Sequence, residues 1–337
     1  MSAKKNVKKK KKEKKLRSLI LLLLLTIIML GTASYAWFTA NQIVTIQALD
    51  LQVEASNGLQ ISTDAVTWKS VITNTDITDN AYSGAVNQVP TSVTAVSSDG
   101  TVTNGRMNMY LGTIGNDSDT GDYIITSTKQ TDTAGTNGYY IAFDVFLKTD
   151  TTQQVFLAGT SNVAHKAVTI AGTSDQTTDK GLKNSARVGF VILGHGATTD
   201  SVNTLIGLNN SGSTSAIIWE PNYTSHTPQA LVVASEYGIT ASTSAATTYR
   251  GLNQEFTAGN LKNTVVGTGT EAAYGTTMNP AIKTAEGNSD NSNFVTLEAG
   301  VTKIRIYMWV EGQDIDCENN ATGTDISFNV SFTTATS

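Results

Sequence analysis

The residues of this sequence that could carry out catalysis are few and scattered. The three histidines, His165, His195 and His226, stand among polar residues, and none has a second metal ligand at helical spacing. The sequence has no His-Glu-x-x-His zinc motif, no Gly-x-Ser-x-Gly nucleophile elbow and no phosphate-binding glycine loop. Carboxylate pairs for glycoside hydrolysis are defined by their separation in space, so the sequence singles none out. We therefore expect a protein that is not an enzyme and holds no cofactor.

Acidic residues suggest calcium binding as a second kind of chemistry. They fall in two clusters, Asp117, Asp119 and Asp122 in one and Glu311, Asp314, Asp316 and Glu318 in the other. Short acidic loops supply the oxygen ligands that calcium prefers, although neither cluster has the EF-hand pattern. The second cluster is the stronger candidate, because four carboxylates so close together repel one another unless something neutralises them. The alternative is that both clusters are solvated turns at the ends of strands.

Four aromatic residues support another binding hypothesis. Exposed rings on a sheet protein can form a platform on which sugars stack, and the candidates are Trp68, Trp219, Tyr223 and Tyr249. This hypothesis predicts a monomeric surface adhesin or carbohydrate-binding β-sandwich. The alternative is that these rings are loop residues packed beneath the sheet.

The N-terminus has the three segments of a secretory signal peptide, in the usual order. Ten basic residues within positions 4–17 precede the apolar run Leu19–Leu30, and Ser34 and Ala36 place small side chains just before a cut after Ala36. A helix of that apolar run rises about 18 Å, which is short of a hydrocarbon core about 30 Å thick. We expect signal peptidase to remove residues 1–36 and the protein to be secreted or held at the cell surface. The alternative is a leader that is retained as a membrane anchor.

The exported part is acidic and nearly free of cysteine. Residues 1–17 hold ten of the 23 basic residues and one of the 28 acidic ones, so 13 basic and 27 acidic residues remain, a net charge of −14. Such a charge makes nucleic acid and anionic lipid poor partners. The single cysteine, Cys317, excludes an intrachain disulfide. It is either a buried, inert thiol or a residue that pairs between chains.

Short segments of alternating polarity predict a chain of β-strands joined by glycine-rich turns. Residues Tyr139–Leu147 have one apolar face and one half-polar face, as on a sheet with one solvated side, and Val155–Leu157 is expected to be the neighbouring strand. Val188–Leu193 is apolar on both faces, which predicts a central strand covered on both sides. The other predicted strands are Ile43–Ile46, residues 49–55, residues 59–61, Ile217–Trp219, Lys303–Val310 and Ile326–Phe332.

This pattern predicts an all-β fold: an antiparallel β-sandwich or jelly roll with long loop insertions, preceded by the N-terminal signal helix. Residues 37–337 are expected to form one domain. The long polar segments 70–105, 158–182 and 196–214 are expected to be loop excursions. The alternative is a second, small β-subdomain.

The leader junction carries a resemblance to a known family. The segment Gly31-Thr32-Ala33-Ser34-Tyr35-Ala36-Trp37-Phe38-Thr39, followed closely by Leu49-Asp50-Leu51, resembles the N-terminal region of the TasA and camelysin family of secreted biofilm-matrix proteins. Four later segments look like signatures of uncharacterised secreted proteins with the same kind of leader, and no chemistry is assigned to them: Ala142–Phe146, Ser185–Phe190, Ile218–Asn222 and Glu311–Cys317.

The resemblance implies a jelly-roll subunit that polymerises with copies of itself into extracellular fibres. In such fibres the strand at the mature N-terminus leaves its own subunit and completes the sheet of the next one. The corresponding segment is residues 37–46, and the side chains that would fill the neighbour's groove are Trp37, Phe38, Ile43, Val44 and Ile46. The proteolytic activity attributed to camelysin finds no zinc motif here. The alternative is that residues 37–46 form an ordinary edge strand within one chain.

Overall fold

The computed structural model describes residues 43–44, 51–56, 58–167, 178–209, 212–242, 249–278, 295–317 and 325–334. Within these residues the chain forms twenty strands and four α-helices. The strands are β1 (Ile43–Val44), β2 (Leu51–Ala55), β3 (Gln60–Ser62), β4 (Val71–Thr73), β5 (Val93–Thr94), β6 (Val102–Thr103), β7 (Arg106–Met107), β8 (Met109–Asn116), β9 (Tyr123–Gln130), β10 (Ile141–Thr149), β11 (Gln153–Leu157), β12 (Asn162–Lys166), β13 (Ala186–Gly196), β14 (Ile217–Trp219), β15 (Arg250–Leu252), β16 (Phe256–Asn260), β17 (Gly275–Thr277), β18 (Val295–Leu297), β19 (Gly300–Val310) and β20 (Asp325–Thr333). The helices are α1 (Asn74–Asp79), α2 (Val202–Ile206), α3 (Pro228–Glu236) and α4 (Leu261–Val266), and short 3-10 helices cover Leu182–Ser185 and Gly269–Tyr274.

Two large sheets organise the fold. One has five strands in the order β14-β13-β19-β10-β3, and the other has the order β18-β11-β20-β2-β4, with β12 also paired to β20. The long strand β19 is central to the first sheet, since β10 and β13 pair with it antiparallel along nearly its whole length. The prediction of a mostly β chain is confirmed.

The two large sheets share one hydrophobic core, because their strands alternate apolar side chains. From β19, Ile304, Ile306, Met308 and Val310 are fully buried in this core, and they pack with a matching row from β20 that includes Phe328, Val330 and Phe332. These two rows were predicted from the alternation of the sequence. Burying a side chain of this size contributes about 1.5–3 kcal/mol, so the core supplies most of the stabilisation of the fold.

The other face of the five-stranded sheet is covered, and the prediction of a solvated side was wrong. Ala142, Asp144 and Phe146 of β10 are all fully buried. Two segments that the sequence assigned to loop excursions lie over this face: Val96 and Val102 pack on Tyr140, Ala142 and Tyr307, and Leu205 packs on Phe146. Met107 and Met109, which follow the first of these segments, join the same cover. Alternation identified the strand correctly, but it could not show that distant polar segments would cover its second face.

Strand pairing differs from expectation in two places. Strand β11 was predicted to neighbour β10, but it belongs to the other large sheet, where it pairs with β18 and β20. The pairing of β2 with β20 is parallel, although antiparallel neighbours were expected. Periodicity shows which residues face the core, but the partner of a strand depends on where its connections run.

A smaller apolar cluster lies outside the main core. The three-stranded sheet β16-β9-β8 packs with α3 and α4 around residues such as Ile125, Val233 and Leu261. Thr227 is the N-cap of helix α3: its hydroxyl accepts the Ala230 N–H at 3.1 Å, and Pro228 occupies the first turn. Ile315, from the turn that follows β19, inserts into this cluster, so that turn joins the main core to the smaller one.

Candidate functional site

The first candidate site is the predicted donor segment. Strand β1 pairs antiparallel with β5 of the same chain, with Ile43 opposite Thr94 and Val44 opposite Val93. The other residues predicted for polymerisation, Trp37, Phe38 and Ile46, lie outside the described residues, as do the cleavage residues Ser34 and Ala36. Two residue pairs are thus the whole of the ladder that the structure describes, and they lie within one chain, as in an ordinary edge strand.

One backbone edge of β5 is hydrogen-bonded to segments of the five-stranded sheet. Val93 is 1% exposed and belongs to the main core. The Thr94 N–H donates to the Tyr139 carbonyl at 3.0 Å, and the Val96 N–H donates to the Val310 carbonyl at 3.0 Å. The strand that pairs with β1 is therefore hydrogen-bonded to β19 and to the segment before β10, and packed into the main core.

The opposite edge of this strand carries β1. Because backbone N–H and C=O groups point to alternate sides of an extended strand, those of Val93 point away from Tyr139 and toward Val44, which lies opposite Val93.

The chain on both sides of β5 is also hydrogen-bonded within the protein. After β5, Ser97 exchanges two backbone hydrogen bonds with Tyr110 of β8, at 2.8 and 2.9 Å. Before β5, the Val89 N–H donates to the Gly135 carbonyl at 2.8 Å.

The second candidate site is the acidic turn that follows β19. The Glu311 carboxylate is completely buried and accepts three N–H groups, from Trp309 Nε1 at 3.0 Å, the Gln313 backbone at 3.1 Å and the Ser98 backbone at 3.3 Å. Burial raises the pKa of Glu311 to about 7, although hydrogen bonds from the side chains of Ser97 and Trp309 and from the Gln313 backbone oppose the rise.

Arg187, at the start of β13, neutralises part of this turn. Its guanidinium is fully buried, bonds Glu220 Oε1 at 2.6 Å and also bonds Asp314 Oδ2. It also stacks on the Tyr249 ring, 4.7 Å from the ring centroid. Burial raises the pKa of Glu220 to about 7, against the opposing charge of Arg187. We call Arg187, Glu220, Glu311, Asp314, Asp316 and His226 the Arg187 cluster.

Asp316 ties the acidic turn to helix α3. Its carboxylate lies 2.6 Å from His226 Nδ1 and accepts the Thr227 backbone N–H at 2.9 Å. Asn184 donates to the same carboxylate at 3.3 Å. Burial raises the pKa of Asp316, with His226 opposing the rise. Thr227 is the N-cap of α3, so this contact fixes the start of the helix against the turn.

The carboxylates of this turn have protein partners, so their clustering is explained without a cation. Among the described residues, no three His, Cys, Asp or Glu side chains are placed to share one metal ion. Glu318, the fourth predicted ligand, lies outside those residues. Calcium binding by this turn stays a prediction. Cys317, at the end of the turn, is half-buried against the main core, and burial raises the pKa of its thiol.

Several polar atoms of the Arg187 cluster and its surroundings are buried without a hydrogen-bond partner in the described structure. They include Arg187 Nε, Glu220 Oε2, Asn184 Oδ1 and both side-chain polar atoms of Gln313. Such atoms carry a desolvation penalty of about 1–3 kcal/mol each unless water reaches them. The Arg187 cluster is therefore acid-rich and incompletely paired.

A second buried ionic group lies on the covered face of the five-stranded sheet. Arg305, fully buried, donates to Asp144 Oδ1 at 2.8 Å and to Asp132 Oδ2 at 2.8 Å. Lys303 lies 3.3 Å from Asp144 Oδ2, which also accepts the Tyr82 hydroxyl at 2.6 Å. We call Arg305, Lys303, Asp144 and Asp132 the Arg305 cluster.

Sequence reasoning missed the residues that complete both clusters, yet it had singled out the segments that contain them. Of the four signature segments without assigned chemistry, three meet in the Arg187 cluster through Arg187, Glu220 and the 311–317 turn. The fourth contributes Asp144 to the Arg305 cluster. For Arg187 and Asp144 the available signal was a charged residue inside an otherwise apolar strand.

The remaining candidates lie apart from both clusters. Trp219 and Tyr249 are 1% and 4% exposed, so these two rings are packed inside and offer no sugar-stacking surface. Trp68 is half-buried with Lys148 Nζ 4.6 Å from its ring centroid. The predicted calcium ligands Asp117, Asp119 and Asp122 lie in the turn between β8 and β9, where Asp117 accepts the Asp119 N–H at 2.8 Å. Of the other candidates, Tyr223 and His165 lie outside both clusters as defined here, and the His195 ring lies 3.2 Å from the Thr302 hydroxyl.

No helix among the described residues is both long and apolar enough to cross a membrane. Comparison with known proteins found no match: no protein-family model, no curated protein and no solved structure matches the chain.

Proposed function

We propose that this protein is the structural subunit of an extracellular fibre or surface matrix, exported by residues 1–36 and assembled by strand exchange of its mature N-terminus. The observation that supports the proposal is the place of β1. Its described pairing is with β5 in a two-stranded sheet, outside both large sheets. A strand placed there can leave its own chain without breaking the ladders of either large sheet.

The rest of the proposal concerns architecture. Two large sheets with one shared core are what a β-sandwich or jelly roll requires, and the first long strand after the donor segment, β2, is inserted between β20 and β4. The body therefore stays complete when residues 37–46 depart. A membrane-held precursor cannot donate this segment, so cleavage after Ala36 also acts as the trigger for assembly.

The experiment compares two forms of the secreted protein by negative-stain electron microscopy. The mature form begins at Trp37, as checked by N-terminal sequencing, and the trimmed form begins at Gln47. We expect fibres from the mature form and monomers from the trimmed form, with equal circular dichroism spectra for the two. Equal fibres from both forms, or none from either, would contradict the proposal.

A further inference from the structure

Two exposed asparagines of this chain are each followed by glycine, and the fold holds them in different ways. The sequence contains three Asn-Gly pairs, and two of them, Asn104-Gly105 and Asn137-Gly138, lie wholly within the described residues. We propose that Asn137 is a site of spontaneous covalent modification, in which its side-chain amide becomes an acid through a succinimide ring, and that the fold protects Asn104 from the same reaction.

The reaction needs only the Asn-Gly pair and water. The backbone nitrogen of Gly138 gives its proton to solvent and attacks Cγ of Asn137; the new N–Cγ bond forms, the Cγ–Nδ2 bond breaks, and the amide nitrogen takes a proton from solvent and leaves as ammonia. Water then adds to one of the two ring carbonyl carbons and breaks the bond from that carbon to the ring nitrogen. Opening at Cγ gives aspartate, and opening at the backbone carbonyl gives isoaspartate. Glycine favours the attack because it has no Cβ beside the attacking nitrogen.

The backbone around Asn104 prevents this ring from forming. Ring closure requires the asparagine to rotate about its Cα–C′ bond until the next backbone nitrogen faces its Cγ. Asn104 has a φ of 51° and lies in the two-residue turn between β6 and β7, which are paired with each other directly beside it. Gly105 is buried, and a Cβ placed on it would overlap the Asn209 carbonyl oxygen. The turn therefore cannot rotate unless the hairpin opens.

The backbone around Asn137 allows the rotation. Asn137 lies in the loop from β9 to β10, which is hydrogen-bonded on both sides of it: the Gly135 N–H donates to the Asn87 carbonyl at 2.8 Å, and the Tyr139 carbonyl accepts the Thr94 N–H at 3.0 Å. The three residues between Gly135 and Tyr139 are exposed and belong to no helix or strand. Asn137 can therefore reach the geometry of ring closure without opening a ladder of β-strands.

The modification changes the backbone at a closely packed point. Gly138 has a φ of 112° and lies so near the Gln88 side chain that a Cβ placed on it would overlap the amide group of that side chain. Gln88 is fully buried and donates to the Tyr140 carbonyl at 2.6 Å. Isoaspartate inserts one additional carbon atom into the backbone between Asn137 and Gly138. We therefore expect the contact between Gly138 and Gln88, and with it the start of β10, to loosen.

Peptide mapping compares the two sites in one sample. Trypsin places Asn104 on the peptide 70–106 and Asn137 on the peptide 130–148, in which Asn137 is the only asparagine. The purified secreted protein is aged in mildly alkaline buffer, and fragmentation mass spectrometry measures aspartate and isoaspartate at each site over time. We expect conversion at Asn137 to be faster by about tenfold or more, because Asn104 reacts only when its hairpin opens. Equal rates, faster conversion at Asn104, or no conversion at Asn137 would overturn the proposal.

Two controls separate the effect of the fold from that of the dipeptide. In guanidinium chloride the hairpin and the loop are both unfolded, so the two sites should convert at nearly equal rates. A difference that persists there would show that the fold is not its cause. The variant Asn137→Gln keeps an amide but closes a larger ring less readily, so its peptide 130–148 should stay unmodified; conversion at that position would contradict the ring mechanism.

Hydrogen exchange measures the consequence for the fold. The Thr94 N–H bonds the Tyr139 carbonyl, one residue after Gly138, so it reports on the start of β10. After ageing, we expect the Thr94 amide to exchange several-fold faster in the unmutated protein than in Asn137→Gln. Equal exchange in the two, with Asn137 converted in the first, would overturn the link between the modification and the packing of this loop.

Discussion

The two buried ionic clusters lie on the same sheet and differ in how completely they are paired. In the Arg305 cluster each guanidinium nitrogen has an acceptor, with Nη2 donating to the Val86 carbonyl at 2.6 Å. The Asp132 carboxylate accepts hydrogen bonds from the hydroxyls of Tyr140 and Tyr307, at 2.8 Å each. In the Arg187 cluster four carboxylates share one arginine and one histidine, and Arg187 Nε and Glu220 Oε2 have no described partner.

The two clusters therefore compensate their buried charges in different ways. A fully paired network rigidifies the fold, and removing one member leaves its partners as uncompensated charges. The Arg187 cluster, which has more acidic than basic groups, reduces its excess negative charge by binding protons, because burial raises the pKa of Glu220 and of Glu311 to about 7. We therefore expect the Arg305 cluster to respond strongly to mutation and the Arg187 cluster to respond to pH.

The largest effect is expected from Arg305→Met. This change leaves Asp144 and Asp132 buried without their main cation, and breaking a buried pair in this way costs about 3–5 kcal/mol of unfolding free energy. Urea denaturation measures the loss. The control is Arg106→Met: its partner is also Asp132, but 40% of its side chain is exposed, so a change below about 1 kcal/mol is expected. Equal losses from the two variants would refute the assignment of Arg305 as the centre of the network.

A smaller and pH-dependent effect is expected from Arg187→Met. The variant loses the cation beside Glu220 and Asp314, which costs about 2–4 kcal/mol near pH 8. Near pH 5.5 the loss should be about half as large, because the neighbouring carboxyls can take up protons instead. Urea titrations at the two pH values measure the difference. A loss that is the same at both would show that the cluster does not buffer its charge.

In the unmutated protein, pH itself is expected to change stability. Glu220 and Glu311 have a folded pKa near 7, above the ordinary value of 4.5, so their contribution is present below about pH 4.5 and is lost as the pH rises through about 7. We expect unfolding free energy to fall by about 1–3 kcal/mol between about pH 5.5 and pH 8. The variant Glu311→Gln should roughly halve this slope.

The opposite sign is expected from the Arg305 cluster. The pKa of Asp144 is lowered: burial raises it, but the charges of Arg305 and Lys303 prevail. Its contribution to stability is therefore present above its ordinary pKa of 3.8 and is lost as the pH falls below that value.

The two signs predict where the pH dependence lies. A thermal-melting profile of the unmutated protein that is flat from pH 5.5 to pH 8 would contradict the assignment of raised pKa values to Glu220 and Glu311 in the Arg187 cluster.

The smallest effect is expected from Glu220→Gln. Glutamine keeps an oxygen acceptor for Arg187, and the other oxygen of Glu220 has no described partner to lose. Near pH 6 the melting temperature should change by no more than about 2 °C, and near pH 8 it should rise. The matched change Asp144→Asn, in the fully paired cluster, should lower it by at least about 5 °C. A larger loss from Glu220→Gln would reverse the comparison.

Part of the candidate sites was predictable from the sequence. The crowding of Glu311, Asp314 and Asp316 predicted a neutralising group, and calcium was the candidate beside the alternative of a solvated turn. The group that the structure places there is Arg187, which lies 127 residues from Asp314 in sequence. No local pattern connects residues so distant. Helix α1 was missed as well, although Thr73 and Asp76 form the capping arrangement that starts it.

The sequence by itself located the long strands of the two large sheets and the apolar residues of their shared core, but it did not predict β8 or β9. Side chains alternate with a period of two residues along any strand, so β10, β13, β19 and β20 could be located from polarity alone. Tertiary structure decided what polarity cannot encode: which strands pair, which segments cover the second face of the five-stranded sheet, and which charges meet inside it. These depend on connections between residues far apart in the chain, and burial then changes the chemistry of every charged group that they bring together.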